Sequence, residues 1–373
     1  MPYFDPKPKT CKADLYNREV ELSKLINFLK FSPLILILGL RRTGKTSLLY
    51  TALNESKMPN IIFDCRELPG NRVISLSGFF DVMAKCVNRF LRLRRRLARK
   101  FISMVEHIEG ISVLGFSIKF KRSKGISSLV DVFDSLNELA EKENFRLIFA
   151  FDEAQELRRI AGFRVDRLLA YIYDNLRNIG IILTGSQIGL LYKFLRVNDP
   201  EAPLYGRARN EIFLSNFTVE QSIDFLIKGF KQYNVSPPME FINEAVYRLN
   251  GVVGWPTLLG YKAISRRTFN SKLIDEVLIE AAQLARSEFE HFLALRWQAR
   301  DRYLAIIRAL VNLDRASWRE IKRYLEFSLG GKIDDKNFTV LLKNLVDAGF
   351  VIKTAEGLYK LADPVLKYSF MKR

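Results

Sequence analysis

The sequence predicts an α/β fold, a parallel five-stranded sheet covered by helices, followed by an all-α unit and a small unit that ends in a β-hairpin. Across residues 1–217, short apolar runs alternate with amphipathic helical segments, which is typical of a parallel sheet with crossover helices. Residues 218–298 contain helical segments only. In 299–373, three helical segments precede two short strands. We therefore expect three domains with these boundaries, which a length of 373 residues accommodates.

The first predicted strand, 34–38, is apolar at every position, as expected for a parallel strand that is buried on both faces. It leads into 39–46, a full match to G-x-x-x-x-G-K-[ST], and a helix follows. In such a P-loop, backbone N–H groups and the positive end of the helix dipole converge on an anion. We therefore predict binding of ATP or ADP, with Lys45 on the β- and γ-phosphates and the Thr46 hydroxyl on Mg²⁺. The residues predicted to contact the nucleotide here are Gly39, Arg41, Arg42, Thr43, Gly44, Lys45, Thr46 and Ser47.

Four further strands are predicted for the sheet, at 60–64, 146–153, 181–186 and 209–217. The second of these ends in Asp152-Glu153, and a carboxylate at the end of a parallel strand faces phosphates that a neighbouring strand's loop binds. We predict that Asp152 is a Mg²⁺ ligand, acting mostly through bound water, and that Glu153 is the general base for the attacking water. The alternative is a pair of acids favoured by the positive end of a following helix.

Hydroxyl groups end the predicted strand 181–186, in Thr184-Gly185-Ser186. A hydroxyl at this edge of the sheet is placed to contact the γ-phosphate or the attacking water, and we favour Ser186 for this role. The alternative is that these residues cap the next helix, as Ser and Thr commonly do.

The formal charge of +18 is concentrated in one segment. Between Lys85 and Lys124 there are twelve Lys and Arg residues against two Glu, and we call 85–125 the basic insert. A helix over 77–101 and a hairpin over 110–121 are predicted there. At i+3/i+4 spacing the helix presents four arginines together, Arg92, Arg95, Arg96 and Arg99. This face is either a solvated surface or a contact for DNA or another polyanion. A membrane-surface helix stays a further alternative, although its apolar face is modest.

The all-α unit is predicted to contain four helices, at 218–232, 239–250, 255–269 and 272–298. A winged helix follows, since three helices and then a hairpin is the order of that fold. Its third helix, 334–348, combines an apolar stripe with exposed Lys, Asn and Thr residues, but it also carries three Asp residues. Binding of DNA and binding of a protein partner therefore stay equal alternatives for this unit.

Composition disfavours several classes of protein and of site. The three cysteines form no C-x-x-C pair, which excludes a disulfide framework and a thiolate zinc site and fits a reducing compartment. With His107 and His291 as the only histidines, a histidine metal or acid–base site is not expected. No apolar run approaches the roughly 20 residues that span a bilayer, and the N-terminus does not resemble a secretory signal. We expect a soluble, cytoplasmic protein.

Together the motifs resemble those of the archaeal ATPase family, P-loop proteins of the AAA+/STAND group. The resemblance extends to about residue 365 and rests on 17–22, 39–49, 147–153, 183–186, 204–207 and 254–256. It implies a slow Mg²⁺-dependent ATPase in which Asn17 and Arg18 lie near the adenine, Ser186 is a sensor and Pro256 packs on the adenine or ribose. It also implies that Arg207 contacts the γ-phosphate of its own or a neighbouring subunit. Unlike typical AAA+ proteins, the lid region carries G-W-P where a sensor arginine would be expected.

Two functions stay open on this basis. In the first, ATP bound between the core and a helical lid holds them together, hydrolysis releases them, and the basic insert and winged helix transmit the change to a partner. In the alternative, the chain is a DNA-binding regulator or a DNA-processing protein for which nucleotide is an effector. The oligomeric state is open. Phosphoryl transfer to a small acceptor is disfavoured, because no segment resembles an acceptor site.

Overall fold

The computed structural model describes residues 2–70, 72–120, 125–249 and 251–371. The first part of the chain is an α/β core in which strands and helices alternate. Its elements are α1 (Glu19–Leu29), β1 (Leu34–Gly39), α2 (Lys45–Ser56), β2 (Asn60–Asp64), α3 (Leu76–Leu93), α4 (Arg95–Val105), β3 (Ile111–Leu114), β4 (Ser117–Phe120), α5 (Gly125–Lys142), β5 (Leu147–Asp152), α6 (Val165–Asn175), β6 (Ile179–Gly185), α7 (Ile188–Leu195) and β7 (Asn210–Leu214).

The core contains the predicted five-stranded parallel sheet, in the order β2-β5-β6-β1-β7. Every residue of β1, β5 and β6 is buried. Alternate residues of β1 enter two different cores, since Leu36 packs on the side of α3 and α5 and Ile37 on the side of α1 and α2. Because helices cover both faces, the strands are continuously apolar. The loops that follow their carboxyl ends lie along one edge, which is where parallel sheets bind ligands.

The basic insert differs from its predicted form. The prediction of one helix over 77–101 is wrong, because the chain leaves the helical conformation at Arg94 (φ −136°, ψ 66°), between α3 and α4. The break turns α4 so that its apolar side enters the same core as α3. The predicted hairpin is present as β3–β4, and the Asn88 side chain pairs with both backbone groups of Ile118 to hold it along α3. Outside the described residues lie Lys121, Arg122 and Lys124.

A helical lid and a winged helix follow the core, as the sequence predicts. The lid consists of α8 (Val219–Lys231), α9 (Met239–Leu249), α10 (Gly254–Arg266) and α11 (Ser271–Ala294). The winged helix consists of α12 (Arg300–Leu313), β8 (Arg315–Ala316), α13 (Trp318–Leu329), α14 (Asp335–Asp347), β9 (Val351–Lys353) and β10 (Tyr359–Leu361), with its strands in the order β8-β10-β9. Asn250, the last residue of the predicted helix 239–250, lies outside the described residues. Within the described ranges, no helix is both long and apolar enough to cross a membrane.

The winged helix contacts both other parts of the chain. The second half of α11, residues 285–293, packs in the winged-helix core, while its first half packs in the lid core. The carboxyl end of α14 lies against α7, where Lys193 pairs with Asp347. The approach is so close that a Cβ at Gly189 would lie 2.2 Å from Asp347 Oδ1. The domain boundaries after residues 217 and 298 stay predictions.

Candidate active site

The P-loop joins β1 to α2 in a conformation that its glycines permit. Gly44 has a φ of +94°, in the left-handed region that favours glycine. A Cβ at Gly39 would lie 2.8 Å from both the Leu214 carbonyl oxygen and Thr43 Oγ1, so the loop leaves the sheet where only glycine fits. Arg42 also has a positive φ, 64°, without being glycine. Such backbone strain is retained chiefly at functional sites.

The Lys45 ammonium group lies inside this loop. The Leu40 carbonyl oxygen accepts a hydrogen bond of 2.6 Å from Lys45 Nζ and one of 2.9 Å from Thr43 Oγ1. Burial lowers the pKa of Lys45 to about 8, although the carboxylates of Glu153 and Asp152 act in the opposite direction. The loop therefore holds a buried cation at the N-terminus of α2, where a helix binds anions.

Asp152, at the end of β5, is surrounded by hydrogen-bond donors from three other segments. Its carboxylate accepts from Thr184 Oγ1 (2.6 Å), Thr46 Oγ1 (2.9 Å) and Arg66 Nη2 (3.0 Å). The sheet order explains these partners, because β5 lies between β2, which precedes Arg66, and β6, which contains Thr184. Burial raises the pKa of Asp152, against the hydrogen bonds of the two threonines and the charge of Arg66. The two predicted metal ligands, Thr46 and Asp152, thus lie in direct contact.

Glu153 has a left-handed backbone conformation, with a φ of 57°. Its Oε2 accepts hydrogen bonds of 2.6 Å from both Ser186 Oγ and Gln155 Nε2. Burial raises the pKa of Glu153, but the Lys45 charge and these two hydrogen bonds outweigh it, so the net shift is downward. The carboxylate is therefore ionised near neutral pH and able to accept a proton, as a general base must.

A cleft of about 460 Å³ extends from the P-loop to the lid, within the size range of small-molecule sites. Part of its lining is polar and consists of P-loop residues 42–47 together with Arg66 and Glu153. Another part is mainly apolar, and its side chains include Tyr16, Phe217, Phe225, Val253, Trp255 and Leu258. A nucleotide has the same division between charged phosphates and an apolar base. The cleft therefore suits a nucleotide that lies from the P-loop to the lid.

Two of the three residues implied near the base lie apart from the cleft wall. Arg18 lines the cleft; it is buried and donates a hydrogen bond of 2.6 Å to the Ser215 carbonyl oxygen. In the described part of the chain, Asn17 does not line it, and Pro256 is buried within α10 while its neighbours in that helix form the wall. Contacts of Asn17 and Pro256 with the nucleotide stay predictions.

Arg207 does not line this cleft in the described structure. Its guanidinium forms a two-point ion pair with Asp174 of α6, with Nε–Oδ1 and Nη2–Oδ2 distances of 2.8 and 2.5 Å. It also lies 5.9 Å from the centroid of the Tyr173 ring. A contact with the γ-phosphate of its own chain would require this pair to open, and a contact in a neighbouring subunit stays a prediction.

The side chains of the P-loop arginines reach the other parts of the chain. Arg41 and Arg42 both pair with Glu288 of α11, at 3.4 and 2.6 Å. The Arg42 guanidinium lies 4.3 Å from the centroid of a Trp255 ring in α10, and that of Arg41 lies 5.3 Å from the Phe350 ring in the winged helix. The phosphate loop is therefore in contact with both the lid and the winged helix.

Arg66 and Gln155 were not singled out by sequence analysis, and Thr184 was named only as a hydroxyl at a strand end, not as a partner of Asp152. The pairing of β5 with β6, which places Phe151 opposite Leu183, brings Thr184 beside Asp152. Arg66 lies two residues after the end of β2. Because residues that follow parallel strands lie at the same edge of the sheet, this position is a signal in the sequence that Arg66 belongs to the site. Gln155 has no such signal, because the turn after Glu153 decides where its side chain lies.

Comparison with known proteins gives consistent matches over the whole chain. The family described as "ATPase domain predominantly from Archaea" matches residues 15–261, and the MCM protein C-terminal winged helix-turn-helix domain matches residues 297–362. A Walker-type ATPase of Pyrococcus abyssi is 35% identical, with 98% of this chain and 99% of that one covered and a TM-score of 0.81. No curated protein matches in sequence.

Two more distant structures have a similar fold. The ORC2 protein of Aeropyrum pernix, in ADPNP–ADP complexes, is 15% identical over 98% of this chain and 93% of its own, with a TM-score of 0.62. Cdc6p of Pyrobaculum aerophilum is 15% identical over 99% of this chain and 95% of its own, with a TM-score of 0.50. At 15% identity these two matches show only that the α/β core, lid and winged helix have a similar arrangement.

Proposed function

Because the chain belongs to the archaeal ATPase domain family and is an ATP-hydrolysing enzyme, we propose that its ATPase cycle works as a switch of the AAA+/STAND type. ATP bound in the cleft holds the α/β core and the lid together, and hydrolysis releases them. The winged helix and the basic insert transmit the change to a partner. This proposal goes beyond ATP hydrolysis, because it states that the ATPase cycle controls an interaction with a partner.

The proposed chemistry uses Lys45, Thr46 and Glu153, which line the cleft, and Asp152, which contacts Thr46. The Thr46 hydroxyl and the Asp152 carboxylate, 2.9 Å apart, are hard oxygen ligands of the type that Mg²⁺ takes, so this ion fits the site. When bound, Mg²⁺ neutralises charge on the β- and γ-phosphates. Lys45 binds the same phosphates, and Glu153 accepts the proton of the attacking water while its two hydrogen-bond donors hold the carboxylate in place.

The main support for the switch is the set of contacts that link the P-loop to the lid and the winged helix. Glu288 binds both P-loop arginines, and it lies on α11, the helix that enters the winged-helix core. Trp255, on which Arg42 lies, donates a hydrogen bond of 3.0 Å to Asp363, next to the winged-helix strands. A change in the P-loop on nucleotide binding or release therefore alters contacts with the lid and the winged helix directly.

Glu288→Gln tests this link. We expect the variant to bind ATP within about fivefold of the original affinity, because a partly exposed ion pair contributes about 1 kcal/mol or less. We expect hydrogen exchange in α13 and α14 to differ between the ATP and ADP states of the parent protein, and this difference to become smaller in the variant, which keeps the contacts of Arg42 with Trp255 and of Arg41 with Phe350. Mass-spectrometric hydrogen exchange with each nucleotide at saturation measures both.

The matched control is Glu276→Gln, on the same helix, where Glu276 pairs with Arg266 of the lid. This variant should keep the nucleotide-dependent difference. An undiminished difference in Glu288→Gln would refute the link through Glu288, and its absence in the parent protein would refute the switch.

A second candidate function is nucleotide-responsive DNA binding, and a feature of the basic insert favours it. Arg92, Arg95 and Arg99 are exposed, and no carboxylate lies within 4 Å of them in the described part of the chain. Arg95 and Arg96 also stand in the first turn of α4, where the helix dipole disfavours cations. Phosphate groups bound at this surface would reduce the repulsion among the arginines and the unfavourable interaction of Arg95 and Arg96 with the helix dipole.

Replacement of Arg92, Arg95 and Arg99 by Gln tests this candidate. We expect duplex DNA to bind the parent protein at low salt, and the salt dependence of log K to become less steep by about three units in the variant, roughly one per lost phosphate contact. Fluorescence anisotropy of labelled duplex over a salt series measures the slope. Gln replacements of the exposed Arg167, Arg177 and Arg267 serve as the control. Absence of binding at low salt, with and without ATP, would eliminate this candidate.

A further inference from the structure

The N-terminal arm, which we define as residues 2–12, is fixed at one end in the core of the lid. Phe4 is fully buried, with ring centroids of 4.8 Å to Phe230 and 5.7 Å to Phe225. Its ring fills a slot between α8 and α10 that two glycines create. A Cβ at Gly229 or at Gly260 would lie 2.3 Å from an atom of this ring. Phe4 is therefore an integral part of the lid core, although most of the chain separates them.

The other end of the arm is fixed on α2, the helix that begins with Lys45 of the P-loop. The Lys9 backbone N–H donates to Ser47 Oγ at 3.1 Å, and Thr51 Oγ1 donates to the Lys9 carbonyl oxygen at 3.3 Å. The Asn54 side chain donates to the Thr10 carbonyl oxygen at 3.0 Å. The arm thus joins the P-loop helix to the lid by a path that is independent of the main chain between them.

Between these two attachments the arm forms a closed loop over the cleft. The Lys9 ammonium is buried and donates to the carbonyl oxygens of Pro2 and Asp5, both at 2.7 Å. Tyr3 packs on Phe225 with a centroid distance of 5.7 Å. Tyr3 and residues 5–9 line the nucleotide cleft together with the P-loop and the lid. The loop therefore has a defined shape and forms a wall of the cleft.

We propose that the N-terminal arm is a strap that covers the nucleotide cleft and controls the rate at which nucleotide leaves, with Phe4 as its attachment to the lid. A nucleotide bound in the cleft is enclosed by the arm as well as by the P-loop and the lid. Its departure requires the strap to detach from α8 and α10 or from α2. This inference rests on nucleotide binding in the cleft, but it is independent of how the cycle is transmitted to the winged helix.

The dissociation rate of nucleotide tests the strap in two variants of the full chain. Phe4→Ala removes the attachment, while Gly229→Ala keeps Phe4 and fills its slot with a methyl group. We expect each variant to release mant-ATP and mant-ADP about tenfold faster, with a much smaller change in the association rate. Since both act on the same contact, the double variant should be no faster than either single one. Stopped-flow displacement by excess unlabelled ATP measures the rates.

Controls separate the strap from unspecific effects of a substitution. Phe31→Ala removes a phenylalanine that is 59% exposed, and its release rates should equal those of the parent protein. Gly229→Ala raises the helix propensity of α8, so faster release by this variant does not arise from a weakened helix. Limited proteolysis within residues 2–12 reports detachment of the arm.

Unchanged release rates in both single variants, with the arm shown to be detached, would overturn the strap. Effects that multiply in the double variant would overturn it as well. If the parent protein showed no Lys45-dependent binding of mant-ATP, the nucleotide site itself and the strap would both be refuted. A failure of the switch would appear differently, as a winged helix that does not respond to nucleotide although release is controlled by the arm.

Discussion

We expect Glu153→Gln to lower the rate of ATP hydrolysis by about 100-fold or more and to leave ATP binding largely intact. The substitution keeps the size of the side chain and an oxygen that Ser186 and Gln155 are able to contact, but it removes the group that accepts a proton. Binding persists because the P-loop and the lid wall of the cleft are unchanged. Phosphate release at saturating ATP and equilibrium titration with mant-ATP measure the two effects separately.

Glu156→Gln is the matched control for this experiment. Glu156 lies in the same turn after β5, but its carboxylate pairs with Arg159 outside the nucleotide cleft. Its replacement should leave hydrolysis within about twofold of the parent rate, as expected for a partly exposed ion pair. Hydrolysis by Glu153→Gln above one tenth of the parent rate would show that another group is the general base.

We expect Lys45→Ala to weaken ATP binding by roughly 10- to 150-fold, since a hydrogen bond to a charged group contributes about 1.5–3 kcal/mol. In the nucleotide-free variant two effects oppose each other: the burial penalty on the Lys45 charge is removed, but the buried Glu153 carboxylate loses the positive charge that lowers its pKa. Calorimetric titration with ATP measures affinity, and thermal unfolding with and without ATP shows whether the nucleotide still stabilises the fold.

Lys57→Ala provides the comparison, because Lys57 is an exposed residue at the opposite end of the same helix. It should bind ATP with the parent affinity and show the same thermal stabilisation by ATP. Unchanged ATP affinity and hydrolysis in Lys45→Ala would refute the assignment of the P-loop.

The order of the strands explains why sequence analysis found some site residues and not others. Each of the parallel strands is recognisable from its apolar run, but the sequence of no strand shows that β5 lies between β2 and β6. Asp152 was identified because it ends such a strand, whereas Thr184 and Arg66 are its neighbours only through that order. Similarly, the break at Arg94 depends on α4 reaching the core of α3, a tertiary contact that the local sequence does not show.

By itself, the sequence determined the phosphate-binding loop, the acidic pair after β5 and the succession of α/β core, helical lid and winged helix. These features are local, because a glycine-rich turn, a buried strand and an amphipathic helix each follow from neighbouring residues. Only the tertiary structure decided that Arg42 contacts Glu288, 246 residues away, and that Phe4 lies in the lid. Such contacts depend on how elements distant in sequence pack, and they connect the nucleotide site to the lid and the winged helix.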